Sequence, residues 1–432
     1  MLAAACALSA GGLLATALAG LPPPPAELAM VRPAEMTVLQ QVNVPRAWDV
    51  TKGRGVTVAV LDSGVDTTAP DLSGQVTVGP DYVAGVDPPG YRPPLNHGTY
   101  IASLIAGHGQ GPGDAQGVVG VAPQAKLLSV RVIPDDTEPG VDAYNTRPAY
   151  ADAIGKGIYY AVRHHASVIN MSLGSSQPTA YLRTAVAYAL TRKVVVVASA
   201  GNSGAFHYFA PYIYPASFPG VIAVAAVNVS GARADFSEQN ASVVVSAPGV
   251  AVLGAGPGGE YIDADGTSPA AALVSGVAAL IRSRYPALSP VLVEQALIDS
   301  ATRRPPGGYS VEVGFGEVDA AAALTAAGTL AAQSRPRGLP PGTAVAVPDT
   351  TGPGGTRPGG TAPRRLPPIV VVHRDQRAIT AYAVAATGAA VLAAICLAAL
   401  IVLARRPRRP AAGMKMTLFP PPAGPPGDDL IG

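Results

Sequence analysis

Cysteine is nearly absent from this chain: its 432 residues carry two, Cys6 and Cys396. The stretch between them has no cysteine, so a domain there carries no internal disulfide and must hold together by core burial, which a segment of this length can do. The lack of disulfides therefore does not assign the chain to a reducing compartment. Charge is scarce too, with 13% charged residues against 48% hydrophobic ones. Residues 37–330 hold 17 Lys and Arg against 22 Asp and Glu, a net of −5. That balance argues against a nucleic-acid partner for this part of the chain. Metal-ligand spacing is also missing. Asp135, Asp136, Glu138 and Asp142 lack the ordered ligand positions of a calcium loop. This segment is expected to be a solvated acidic loop, and no metal or cofactor is expected.

What is present is ordered along the chain. Residues 1–19 are small and apolar and end in Ala17-Leu18-Ala19, the pattern of a signal-peptide cleavage site, although the usual basic start is missing. Residues 20–43, Pro-rich and then mixed, are expected to pack on a domain surface as an N-terminal extension. A domain is expected over 44–330. Residues 331–377 are rich in Pro, Gly, Thr, Ala and Arg and read as a flexible linker. Residues 378–404 contain no charge and are long enough to span a bilayer at 1.5 Å per residue. Arg405, Arg406, Arg408 and Arg409 follow at once, which places the tail 405–432 in the cytoplasm and the domain outside.

Within the domain, short β-rich runs alternate with helical spacing. Strands are expected at 56–61, 127–132, 168–171, 194–198, 221–227 and 243–246, and helices at 151–165, 181–192 and 291–300. Ser289 before Pro290 is a good cap for the last of these. Continuous apolar strands separated by helices indicate an α/β fold whose parallel sheet is covered on both faces.

Three segments carry chemistry: VAVLDSGV at 58–65, NHGTYIASLIAG at 96–107 and DGTSPAAALVSG at 265–276. They offer Asp62, His97 and Ser268, the three groups needed for nucleophilic acyl transfer, where a serine hydroxyl requires a base and the base requires an orienting group. Each residue has a plainer reading when taken alone. Asp62 before Gly64 suits an Asx-turn, and Ser268 suits a helix N-cap. Asn202, in ASAGNSG after a Val-rich run, suits a turn. The other histidines, His108, His164, His165, His207 and His373, sit in no comparable context and are expected to be surface or packing residues.

With these segments in the order Asp, His, Ser, the chain resembles the subtilisin family of serine proteases over 44–324. The resemblance implies a three-layer fold with a mainly parallel sheet and a serine endopeptidase activity. It implies Asp62 as orienting acid, His97 as general base and Ser268 as nucleophile, with Asn202 and the Ser268 N–H forming the oxyanion hole. It also implies that Ser172, Leu173 and Gly174 pair with an extended peptide substrate, that Ala198, Ser199, Ala200 and Gly201 help form the primary pocket, and that Asn170 is structural. Two positions depart from the family pattern: Pro269 follows the serine, and Ala272 stands where proline is usual. The layout of leader, short extension, domain, linker, span and basic tail resembles the mycosins, membrane-anchored proteases associated with type VII secretion. That likeness implies membrane components of a secretion complex as partners besides the protein substrate. A scaffold role in such a complex and a general degradative role at the cell surface are the alternatives.

Overall fold

The computed structural model describes residues 26–204 and 212–334. The expected signal peptide, the start of the extension, the linker beyond 334, the span at 378–404 and the tail lie outside the described residues. No helix among the described residues is long and apolar enough to cross a membrane.

The centre of the fold is a parallel sheet. In chain order its strands are β1 (Thr57–Asp62), β2 (Val76–Asp81), β5 (Lys126–Arg131), β6 (Val168–Met171), β7 (Val195–Ser199), β8 (Ile222–Val227) and β9 (Val243–Pro248), arranged β2-β5-β1-β6-β7-β8-β9. Two antiparallel pairs lie apart from it: β3 (His108–Gln110) with β4 (Gln116–Val119), and β10 (Val252–Ala255) with β11 (Tyr261–Ala264). All seven strands of the main sheet run parallel, as expected for apolar runs joined through helices.

Nine α-helices are found among the described residues. They are α1 (Ala26–Gln41), α2 (Val44–Ala47), α3 (Asn96–Ala106), α4 (Val141–Thr146), α5 (Ala153–Arg163), α6 (Ala180–Thr191), α7 (Thr267–Arg284), α8 (Pro290–Ser300) and α9 (Ala320–Gln333). Ser289 caps α8 by accepting the Leu292 N–H, as expected. Helix α9 continues to Gln333, past the domain end expected at 330. The extension forms α1, which buries Val31 and Leu39. Its Arg32 side chain donates to the carbonyls of Asp114, Gln116 and Gly117, and Glu35 accepts the N–H of Val119.

Strand periodicity decides which side chains meet which helices. Successive residues of a strand point to opposite faces. Val58 and Val60 of β1, and Val195 and Val197 of β7, join the core cluster containing α3, α7, α8 and α9. Ala59 and Leu61, with Val196 and Ala198, join the opposite cluster with α5 and α6. Asp62 continues the parity of Val58 and Val60, so it emerges on the face covered by α3 and α7. Asn170 of the neighbouring strand β6 pairs in register with Val60 and shares that parity, which Ser172 continues just past the strand end.

Candidate active site

Asp62 is the last residue of β1 and has no exposed surface. The carboxyl ends of parallel strands are where α/β folds gather functional groups. Its Oδ1 lies 2.6 Å from Nδ1 of His97 and also accepts the Ser63 N–H at 2.8 Å. His97 is the second residue of α3, and its side chain is 35% exposed. This geometry fixes the imidazole tautomer: with Nδ1–H donated to Asp62, Nε2 is left as the acceptor.

The histidine helix is seated by a close backbone approach. A Cβ on Gly98 would lie 2.0 Å from the carbonyl oxygen of Gly64, so no side chain fits there. The Gly98 N–H donates to Ser63 Oγ at 3.0 Å, tying the helix to the residue after Asp62.

Burial opposes the charged form of His97. The negative charge of Asp62 and its hydrogen bond, joined by Asp135 and Asp136, outweigh that opposition and hold the imidazole above its ordinary value. The acidic segment does not lie open in solvent as expected: Asp135 and Glu138 are 6% and 3% exposed. The Asp135 carboxylate accepts the N–H groups of Asn96 and His97 at the start of α3. Glu138 binds Arg131 and accepts the Asp135 N–H. Sequence spacing hid this arrangement, because the partners of Asp135 are 39 and 38 residues away.

Ser268 is the second residue of α7. It is not the helix cap, a position taken by Gly266. Its Oγ donates to the Ser172 carbonyl at 3.2 Å, and Ser172 Oγ donates to the Ser268 carbonyl at 3.0 Å. The serine hydroxyl is therefore turned to the strand end beside Asp62 and makes no hydrogen bond to His97. Pro269 sits in the first turn of α7, where backbone N–H groups have no intrahelical partner and proline removes nothing. Asn170 accepts from Ser275 of α7 and donates to Ser172, and it is fully buried.

Asn202 follows β7. Its Oδ1 accepts both the N–H and the hydroxyl of Thr267, each at 2.9 Å. Since both partners donate, the oxygen is assigned, and the NH2 group is left as the outward neutral donor. Gly201, with φ +113, donates its N–H to Thr267 Oγ1.

Of the expected substrate contacts, Ser172 and Leu173 are nearly buried and the sheet ladder stops at Met171, leaving 172–174 past its end. Ala198 and Ala200 are enclosed in apolar clusters, and Ser199 is 4% exposed. Among the described residues, no three His, Cys, Asp or Glu residues are grouped to hold a metal ion. A cavity of about 760 Å³ lies beside Arg131, lined by Asp81, Asp87, Tyr91 and Arg147 among others, and it includes none of Asp62, His97 or Ser268.

Comparison with known proteins adds the family. Residues 53–316 match the Peptidase S8, or subtilase, family model. The chain belongs to the subtilase family. This subtilase is 39% identical to subtilisin E of Bacillus subtilis (strain 168) over 250 residues, covering 58% of this chain and 61% of that one. It thus spans about three-fifths of the length of that curated relative. Among solved structures it is similar to the prenylagaramide maturation protease PagA, with a TM-score of 0.55, 30% identity and coverage of 66% of this chain and 98% of that one. It is also similar to MycP1 solved with its N-terminal propeptide removed, with a TM-score of 0.55, 28% identity and coverage of 67% and 96%. The MycP1 likeness supports the mycosin resemblance.

Proposed function

We propose that this subtilase is a serine endopeptidase that cleaves peptide bonds through an acyl-enzyme. Ser268 attacks the scissile carbonyl after rotating away from Ser172. His97 takes its proton at Nε2 and returns it to the leaving amine. Asp62 holds the tautomer and stabilises the imidazolium. Asn202 Nδ2 and the Ser268 N–H bind the oxyanion. The observation that carries this reading is the 2.6 Å hydrogen bond between buried Asp62 and His97 on the sheet face that also receives α7. Water then attacks the ester carbonyl as His97 takes its proton, the bond to Ser268 Oγ breaks, and His97 returns the proton to Oγ as the carboxylic acid product leaves.

The protein is anchored in the cell membrane by 378–404, with the domain outside and the basic tail inside. It processes exported proteins of a type VII secretion system. The charge-free run, the arginines after it and the likeness to MycP1 support this reading.

The Ser268 to Ser172 hydrogen bond favours a second reading, a structural component of a secretion complex whose site is not poised. A fluorophosphonate probe separates the two. Labelling of the full chain, lost in Ser268→Ala, is the expected result. An unlabelled but folded wild type overturns the endopeptidase reading. Secretion that survives Ser268→Ala but not deletion of the protein favours the structural role.

A further inference from the structure

Helix α3 carries His97 but no side-chain cap of its own. The residue before it, Leu95, is apolar and held at φ 59. The first N–H groups of a helix need acceptors. Here they find one from across the fold: Asp135 Oδ2 accepts the Asn96 N–H at 2.9 Å and Oδ1 accepts the His97 N–H at 3.1 Å. One carboxylate thus spans both groups.

Asp135 is itself held. Its N–H donates to Glu138 Oε1 at 2.8 Å, and Glu138 Oε2 binds Arg131. Arg131 stands beside Asp62 in the β1–β5 register and also pairs with Asp81 and Asp87. The line Arg131–Glu138–Asp135 therefore connects the strand next to Asp62 with the backbone of His97.

We propose that Asp135 is a positioning residue for His97, fixing the start of α3 so that the imidazole meets Asp62 and adding a negative charge that favours the imidazolium formed during proton transfer. The proposal rests on the reading of His97 as general base. The charged groups acting on the imidazole are Asp62 from β1 and Asp135 and Asp136 from the loop after β5. Helix α7 brings the uncharged Thr267 and Ser268. Asp136 is exposed and bonds neither N–H, so its charge is screened more than that of buried Asp135.

Asp135→Asn and Asp135→Ala in the full chain test this. Asn keeps one acceptor, loses the charge and turns an NH2 donor toward the second N–H. The rate of fluorophosphonate inactivation is measured against pH, with histidine ¹⁵N shifts followed in parallel. Asp135→Asn is expected to lower the rate about tenfold and to move its acid limb to lower pH, with a larger loss for Asp135→Ala. The melting temperature serves as the control for folding. An unmoved acid limb, with a rate that falls only as far as the folded fraction falls, overturns the proposal. If wild type is not labelled at all, the endopeptidase reading fails while the ¹⁵N titration still decides: an imidazole of His97 that titrates at the same pH in wild type and Asp135→Asn overturns the positioning role.

Discussion

Thr267 holds the amide oxygen of Asn202 twice, through its N–H and through its hydroxyl, each at 2.9 Å. The residue just before Ser268 thereby orients the amide expected to receive the oxyanion. Asn202→Ala removes the donor outright. The turnover number is expected to fall about 100- to 1,000-fold, the scale known for one oxyanion donor in subtilisin, with little change in KM. Thr267→Val keeps the shape and the N–H bond to Asn202 but removes two others, the hydroxyl's bond to Asn202 Oδ1 and the Gly201 N–H's bond to Oγ1, of which only the first acts on the amide. A loss of about fivefold is expected, the rate equivalent of one hydrogen bond of about 1 kcal/mol. Steady-state kinetics on a peptide ester reads both, and a Thr267→Val rate equal to that of wild type would count against the orienting role.

Gly98 is required by space and not by an unusual backbone angle. A methyl group at this position would sit 2.0 Å from the Gly64 carbonyl oxygen, and that atom belongs to the chain just beyond Asp62. The helix must retreat to admit it, and its retreat carries His97 away from Asp62. Gly98→Ala is expected to cost on the order of 1–3 kcal/mol of stability, as overpacking does. Probe labelling of Ser268 should fall far more than that loss explains. Thermal melting and labelling on one sample check this, and full labelling in a destabilised protein would refute the coupling.

Much of this site was legible because its determinants are local. The apolar run 58–61 ends directly in Asp62, and the segments 96–107 and 265–276 follow their histidine and serine with small, apolar residues suited to buried helices. What stayed hidden depends on long-range approach. Asp135 looked like a solvated acid because no local pattern reveals that its carboxylate serves Asn96 and His97. Ser268 looked like an N-cap because sequence cannot show that Gly266 already fills that position. The hydroxyl's hydrogen bond to Ser172 links two residues separated by 96 positions.

Activity and stability are expected to run in opposite directions with pH around His97. Its folded-state value lies above the ordinary 6.5, because Asp62 and the nearby acids outweigh burial. Catalysis needs the neutral imidazole, so kcat/KM should rise through a midpoint above 6.5. The folded state gains from the charged form. That gain is complete below the unfolded value near 6.5 and is lost as pH rises through the folded value. Asp62→Asn should shift the activity midpoint down and cut the rate about 10⁴-fold through loss of the tautomer. A rate that does not vary between about pH 5 and 8 would contradict the general-base role.

Glu238 supplies a pH effect of opposite origin. It is fully buried, and its N–H donates to the carbonyl of Gly201, next to Asn202. Burial pushes its carboxyl up to about 7, against the pull of backbone N–H groups of Ser203 and Gln239 and the charge of Arg233. Between the ordinary carboxylate value and about 7 the folded chain holds a proton that the unfolded chain has released. Stability therefore falls as pH rises through that window, and the cost is complete above it. Glutamine has nearly the same shape and cannot ionise. Glu238→Gln is expected to melt close to wild type at about pH 5 and to be more stable by about 1–3 kcal/mol at about pH 8, the scale for a buried group left short of partners. Melting curves at the two pH values decide it. An equal difference at both would mean that ionisation of Glu238 is not what the fold is resisting beneath the Asn202 loop.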